Sequence, residues 1–147
     1  MKKLLLILSF TLGLTTAAFG QKFDSGTTFG ELGAVAVTIM DNATGGCWTN
    51  LVEAKSYAKG QLDILGAEVV DDVSQAAVSL EISVLSSRHE NLGFCYGSAT
   101  VRVSRFDKFK GHDTIILFSD VTTTAVSPKN YNLVVLDLIK NAVAEWK

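Results

Sequence analysis

From Val78 to Val103 apolar residues fall on every second position in two runs, and that spacing restricts the chain to few folds. Val78, Leu80, Ile82 and Val84 alternate with Ser79, Glu81 and Ser83. Cys95, Ala99, Val101 and Val103 then alternate with Tyr96, Ser98, Thr100 and Arg102. A two-residue period marks strands with one buried face. The connection, Arg88-His89-Glu90-Asn91-Leu92-Gly93, is polar and ends in glycine, as a hairpin turn should. Because a slip of one residue would exchange the faces, apolar positions must meet apolar positions. This pairs Leu80 with Val103, Ile82 with Val101 and Val84 with Ala99, and sets Glu81 against Arg102 and Ser83 against Thr100. Cys95 falls on the buried side.

The chain begins differently. Lys2 and Lys3 precede the uncharged run Leu4 to Leu14, and small residues follow up to Ala18-Phe19-Gly20. That pattern reads as a secretory signal peptide, residues 1 to 20, cut before Gln21. The apolar run is shorter than the roughly 20 residues that span a bilayer. No second such run follows, so no transmembrane segment is expected after its removal. Residues 21 to 32 are polar and glycine-bearing, a loosely ordered lead-in, and residues 33 to 147 read as one domain.

Within that domain, Ala34 to Met40 alternates as a strand. Leu51, Ala54, Ala58, Leu62 and Leu65 recur at helical spacing, which predicts a helix over Asn50 to Leu65. Asn50 and Glu53 resemble a capping box and Gly66 fits the position just past the helix end. Gly60 inside this helix reads as a point of close approach to the sheet. Glu68-Val69-Val70 reads as the start of a short strand, and Asp113 to Val126 as the last one. Ser127-Pro128 looks like a helix start, with Val135, Leu138, Ala142 and Trp146 as the inward stripe of a helix over Lys129 to Trp146. The predicted fold is α+β: a two-layer sandwich of one four-stranded, mostly antiparallel sheet, in the order strand-helix-strand-strand-strand-helix, with both helices on one face.

Cleavage after residue 20 would leave 127 residues with 11 basic and 15 acidic side chains, a formal charge of −4. A mildly acidic surface does not favour nucleic acid, which needs clustered Lys and Arg. An even pair of cysteines in an exported chain argues for a Cys47–Cys95 disulfide and for a periplasmic or secreted protein. The competing reading makes Cys47 a thiolate activated by the helix that follows it, with His89 as base.

Other sites are sparse. His89 and His112 fall in turns beside acids, too few for a metal centre. Asp71-Asp72 could pair carboxylates, and Asp41 to Gly46 resembles a calcium loop without its closing glutamate. Asn42-Ala43-Thr44 matches a glycosylation sequon. Gly45 and Gly46 ahead of the helix could offer backbone N–H groups to an anion. No cofactor is implied. The anomaly is the sheet face away from the helices: Tyr96 and Phe106 point there, and one apolar pair of the last strand, taken as Ile116 and Phe118, must join them. Exposed apolar patches above a few hundred Å² mark partner sites, so these four are the candidate docking residues for another protein or for a second copy forming a homodimer.

Gly66-Ala67-Glu68-Val69-Val70 leads into the alternating strand from Ala76, and with the order of elements this resembles small envelope domains of gram-negative bacteria. The amino-terminal domain of TolB, LptE and the DUF4136 family are of this kind. The cysteine pair and the missing lipid-attachment cysteine depart from some of them. The resemblance implies an accessory or adaptor role in envelope assembly and carries over no catalytic residue. The leading expectation is therefore an exported, non-enzymatic interaction domain. A small-ligand carrier, binding between helices and sheet or at Gly45-Gly46, is the second, and a thiol enzyme using Cys47 the third.

Overall fold

The structure, a computed structural model, describes residues 28–146. The expected signal peptide and residues 21 to 27 of the lead-in lie outside the described residues. The elements run α1 (Phe29–Leu32), β1 (Val35–Ala43), α2 (Leu51–Ile64), β2 (Val69–Val70), a 3-10 turn (Val73–Gln75), β3 (Val78–Arg88), β4 (Cys95–Phe109), β5 (His112–Ser127) and α3 (Asn132–Glu145).

One sheet of five strands results, in the order β2-β1-β3-β4-β5. It differs from the four-stranded, mostly antiparallel sheet expected. The two residues of β2 add a strand at the edge, and β1 pairs in parallel with both β2 and β3, so half of the pairings are parallel. Helix α2 makes this possible, because a crossover helix returns the chain to the end from which β1 started. Against the central hairpin the expected register holds: Leu80 faces Val103, Ile82 faces Val101 and Val84 faces Ala99, while Glu81 faces Arg102.

The core lies between this sheet and α2 with α3. Leu80, Ile82, Val84, Ala99, Val101 and Val103 are fully buried on the sheet side. Ala54, Ala58 and Leu62 of α2, with Val135, Ile139 and Ala142 of α3, are fully buried opposite them. Alanine at positions 54 and 58 leaves no bulk to hold α2 off the sheet. Gly60 does not share this role: it lies on the exposed side, and a Cβ there would meet nothing within 4 Å.

Helix ends depart from expectation in instructive ways. Asn50 does not cap α2 with its side chain. It accepts from the Trp48 indole at 3.0 Å and donates to Glu53 at 2.9 Å. The far end does follow the sequence. Gly66 takes a left-handed φ of 76°, and N–H groups of Gly66 and Ala67 donate to the Asp63 and Leu62 carbonyls, satisfying groups the helix leaves open. Helix α3 starts four residues after Pro128, because residues 128 to 131 turn inward to bury Tyr131. In the expected lead-in, α1 buries Phe29 against Trp146, ring centroids 5.4 Å apart.

Candidate functional site

The two ends of the sheet carry different chemistry. At one, Cys47 and Cys95 form a disulfide, with Cα atoms 5.7 Å apart and both residues fully buried. Cys47 therefore has no thiolate to offer, and the thiol-enzyme reading loses its nucleophile. Arg88, the last residue of β3, gathers the surrounding loops. Its Nε donates to the Gly45 carbonyl at 2.7 Å and its Nη2 to the Lys129 carbonyl at 2.8 Å. Further bonds reach the Gly46 and Gly93 carbonyls. Gly45 adopts φ +63°, and a Cβ there would stand 2.8 Å from the Cβ of Arg88. The Gly45-Gly46 pair thus presents its carbonyls to a cation of the same chain.

Tyr131 completes this end. It is fully buried, its N–H donates to the Cys47 carbonyl at 2.6 Å, and its hydroxyl donates to the Ala125 carbonyl. Burial pushes the pKa of that hydroxyl above the ordinary tyrosine value. Sequence reasoning passed over Tyr131 and Arg88. Three of the four carbonyls that Arg88 binds, those of Gly45, Gly46 and Lys129, lie about 40 residues away in the chain, which no local pattern encodes.

The other proposed ligands disperse. His89 lies against Phe94, ring centroids 5.1 Å apart, and His112 opens β5. Asp71 pairs with Lys59, whose hydrogen bond and charge hold its carboxyl below the usual range. Asp72 accepts from the Ser74 N–H at 2.9 Å, and hydrogen bonding to the Ser74 side chain and backbone holds its pKa down. Asp41 is not in a loop but in β1, accepting from the Ala43 N–H at 2.9 Å. Among the described residues no group of three or more His, Cys, Asp or Glu converges.

The face turned away from the helices is the remaining candidate. Its middle is polar. Glu81, Arg102 and Asp120 form a row across three strands, and Arg102 binds Asp120 through Nε at 3.1 Å and Nη2 at 2.9 Å. Thr100 and Thr122 share a hydrogen bond of 2.8 Å beside them. The ends are apolar. Near the disulfide end lie Leu85, Tyr96 and Val126, all exposed. At the opposite end β4 and β5 continue beyond β3, whose last partner there is Ser104. The projecting part, Arg105 to Phe109 against His112 to Ile116, is a two-stranded ribbon.

On this ribbon the expected docking residues divide. Phe106 is 80 % exposed and pairs with Ile115, 60 % exposed, while Leu117 beside them is 44 % exposed. Ile116 and Phe118 are half-buried, and Phe118 packs against the core with the Arg105 guanidinium 5.7 Å from its ring centroid. The apolar pair of β5 that shares the open face is thus Ile115 and Leu117, not Ile116 and Phe118. A register shift between Val103 and Ser104, where Val103 faces Ser119 but Ser104 faces Leu117, exchanges the faces of β5. Beside Phe106 a groove of about 290 Å³ opens on the same face, lined in part by Met40, Val73, Ala76 and Phe106.

No protein-family model matches the chain, and no curated protein sequence does. Solved structures do. A PelC dodecamer of Paraburkholderia phytofirmans, in a form carrying one leucine-to-methionine substitution, superposes with a TM-score of 0.58 at 15 % identity, covering 90 % of this chain and 99 % of the other. PelC in a second crystal form gives 0.56 at 14 % identity, with the same coverage. The chain therefore has the PelC fold. A hypothetical protein, CT253 of Chlamydia trachomatis, aligns with a TM-score of 0.44 at 14 % identity over 76 % of this chain and 94 % of the other.

Proposed function

We propose that this chain is an exported, non-enzymatic interaction domain, an accessory of the cell envelope that docks protein through its open sheet face. The observation that carries this reading is the ribbon end, where Phe106, Ile115 and Leu117 stand exposed on a face that no helix of the described residues covers. A soluble domain gains by burying such side chains, at about 25 cal/mol per Å² removed from water. The disulfide supports an oxidising compartment, because thiols in reducing cytosol stay unpaired. No helix of the described residues is long and apolar enough to cross a membrane. The fold shared with PelC, whose solved forms are dodecamers, supports association between copies as one form of that docking.

A photo-crosslinking amino acid placed at Phe106 or Leu117 tests this reading in cells, with Val52 and Leu133 of the exposed helix surfaces as controls. The reading expects protein adducts from the two sheet positions and none from the helix positions. Adducts from the helices alone, or none from the sheet face, would overturn it. A ligand carrier is the second reading, favoured by the groove beside Phe106. Its volume lies at the lower end of the roughly 300 to 1,000 Å³ of ligand pockets.

A further inference from the structure

We infer that the groove beside Phe106 receives a lysine side chain of the docked protein, with its ammonium on Glu81 and its aliphatic stem along Met40 and Phe106. This rests on the docking reading above and says what the partner must present.

Charge points to it first. A row of side chains crosses the open face from β1 to β5: Thr38 faces Glu81, Glu81 faces Arg102 and Arg102 faces Asp120. Its charges run neutral, negative, positive, negative, so the row is one cation short. Arg102 stands between two carboxylates, but its Nε and Nη2 both donate to Oδ2 of Asp120, at 3.1 and 2.9 Å. Glu81 is half-buried and makes no ion pair or side-chain hydrogen bond among the described residues. Arg105 also borders the groove, but its guanidinium binds Asp107 at 3.3 Å and lies over the ring of Phe118, which packs against the core. A cation entering from the β1 side therefore meets Glu81 before Arg102, and completes the alternation of sign along the row.

Shape points the same way. The groove, about 290 Å³, is half open and small for a whole ligand, but suits one long side chain reaching in from a surface laid over it. Its apolar walls are Met40 of β1, Val73 of the 3-10 turn and Phe106 of the ribbon, all three exposed. Glu81 lines it from the sheet together with the hydroxyls of Thr38 and Ser79, which lie 3.2 Å apart. A lysine stem covers apolar walls of this kind while its ammonium stays at the polar side. The ring face of Phe106 adds attraction for a cation beside it. The oxygens available sit on two strands, Thr38 on β1 and Ser79 with Glu81 on β3. The rotatable donors of an ammonium meet such a spread set more readily than the fixed, planar fork of a guanidinium.

The test titrates n-butylammonium, the lysine side chain without its backbone, into the purified, isotope-labelled, disulfide-intact chain at low salt. Amide resonances of Thr38, Ser79 and Ser104 should shift, whereas n-butanol and butyrate at the same concentrations should leave them in place. Glu81→Gln keeps the shape and removes the charge, and should weaken binding of the ammonium about tenfold or more. Unmoved amide resonances away from the groove report that this variant keeps its fold. In cells, protein adducts from a photo-crosslinking amino acid at Leu117, which lies outside the groove, should fall severalfold when Glu81→Gln is added. Binding of n-butanol as tight as that of the ammonium, or ammonium binding unchanged by Glu81→Gln, would overturn the inference. So would Glu81→Gln that abolishes ammonium binding yet leaves the adducts undiminished, because the site would then serve a free amine. If no ammonium binds but Leu117 still crosslinks to protein, the lysine contact fails while the docking reading stands; if wild type gives no adducts, both fail.

Discussion

Where Cys47 and Cys95 are joined, each loop is tied to another, whereas among the described residues β4 and β5 beyond Ser104 pair as strands only with each other. Arg88 binds carbonyls from the loops at Gly45, Gly93 and Lys129, and Tyr131 fills the space beneath them. At the ribbon end the apolar side chains of one face have no cover among the described residues. Both ends belong to the same strands, so β-propensity does not separate them. The difference is in the ties: the first end is held by the disulfide and by Arg88, although Leu85, Tyr96 and Val126 stand exposed beside it, whereas the second projects as a ribbon that exposes Phe106, Ile115 and Leu117. A domain that closes one end with covalent and charged ties has the rigidity to present the other.

The sharpest way to break the comparison is to remove the tie. Cys47→Ala with Cys95→Ala should lose about 4 kcal/mol on the loop-entropy account for a 48-residue separation, measured by urea unfolding. A loss under about 1 kcal/mol would mean that the hydrogen bonds around Arg88 hold this end alone. Arg88→Met keeps the aliphatic stem but strips four carbonyls of their charged donor, and should cost about 2 to 3 kcal/mol. Tyr131→Phe should cost about 1 kcal/mol at neutral pH for the hydroxyl's bond to the Ala125 carbonyl. It should also change the alkaline limb. Because burial raises the folded pKa above 10.0, the hydroxyl's contribution is complete below that pH and is lost as pH rises through the folded value. The Phe variant should therefore fall less steeply than wild type above pH 10. At the ribbon end, Phe106→Ser should change the stability of the separated protomer by no more than about 0.5 kcal/mol while weakening association. A loss of several kcal/mol there would show that Phe106 belongs to the fold rather than to a contact.

How far the sequence foretold these ends follows from the range of the interactions. The central hairpin was legible because its period of two and its turn are local, and Glu81 against Arg102 followed from the same register. Arg102 nonetheless takes its ion pair from Asp120 on the other neighbouring strand, since the charges on β5 lie across a pairing that apolar alternation alone did not set. The shift at Val103–Ser104 was invisible, so Ile116 and Phe118 were placed on the face that Ile115 and Leu117 occupy. Four apolar residues in succession, Ile115 to Phe118, give a strand no face preference of its own. β2 was read only as the start of a strand, because two residues carry too little pattern to show whether they pair. The start of α3 was misplaced because Ser127-Pro128 imitates a cap, while the burial of Tyr131 decides where the helix begins.

Hydrogen–deuterium exchange compares the two ends in one experiment. The account predicts that amides of residues 80–84 and 99–103 are strongly protected, whereas those of 105–109 and 112–117 exchange rapidly in the isolated domain and slow only when a partner covers the ribbon. Ribbon amides as slow as those of the core in the isolated domain would contradict it.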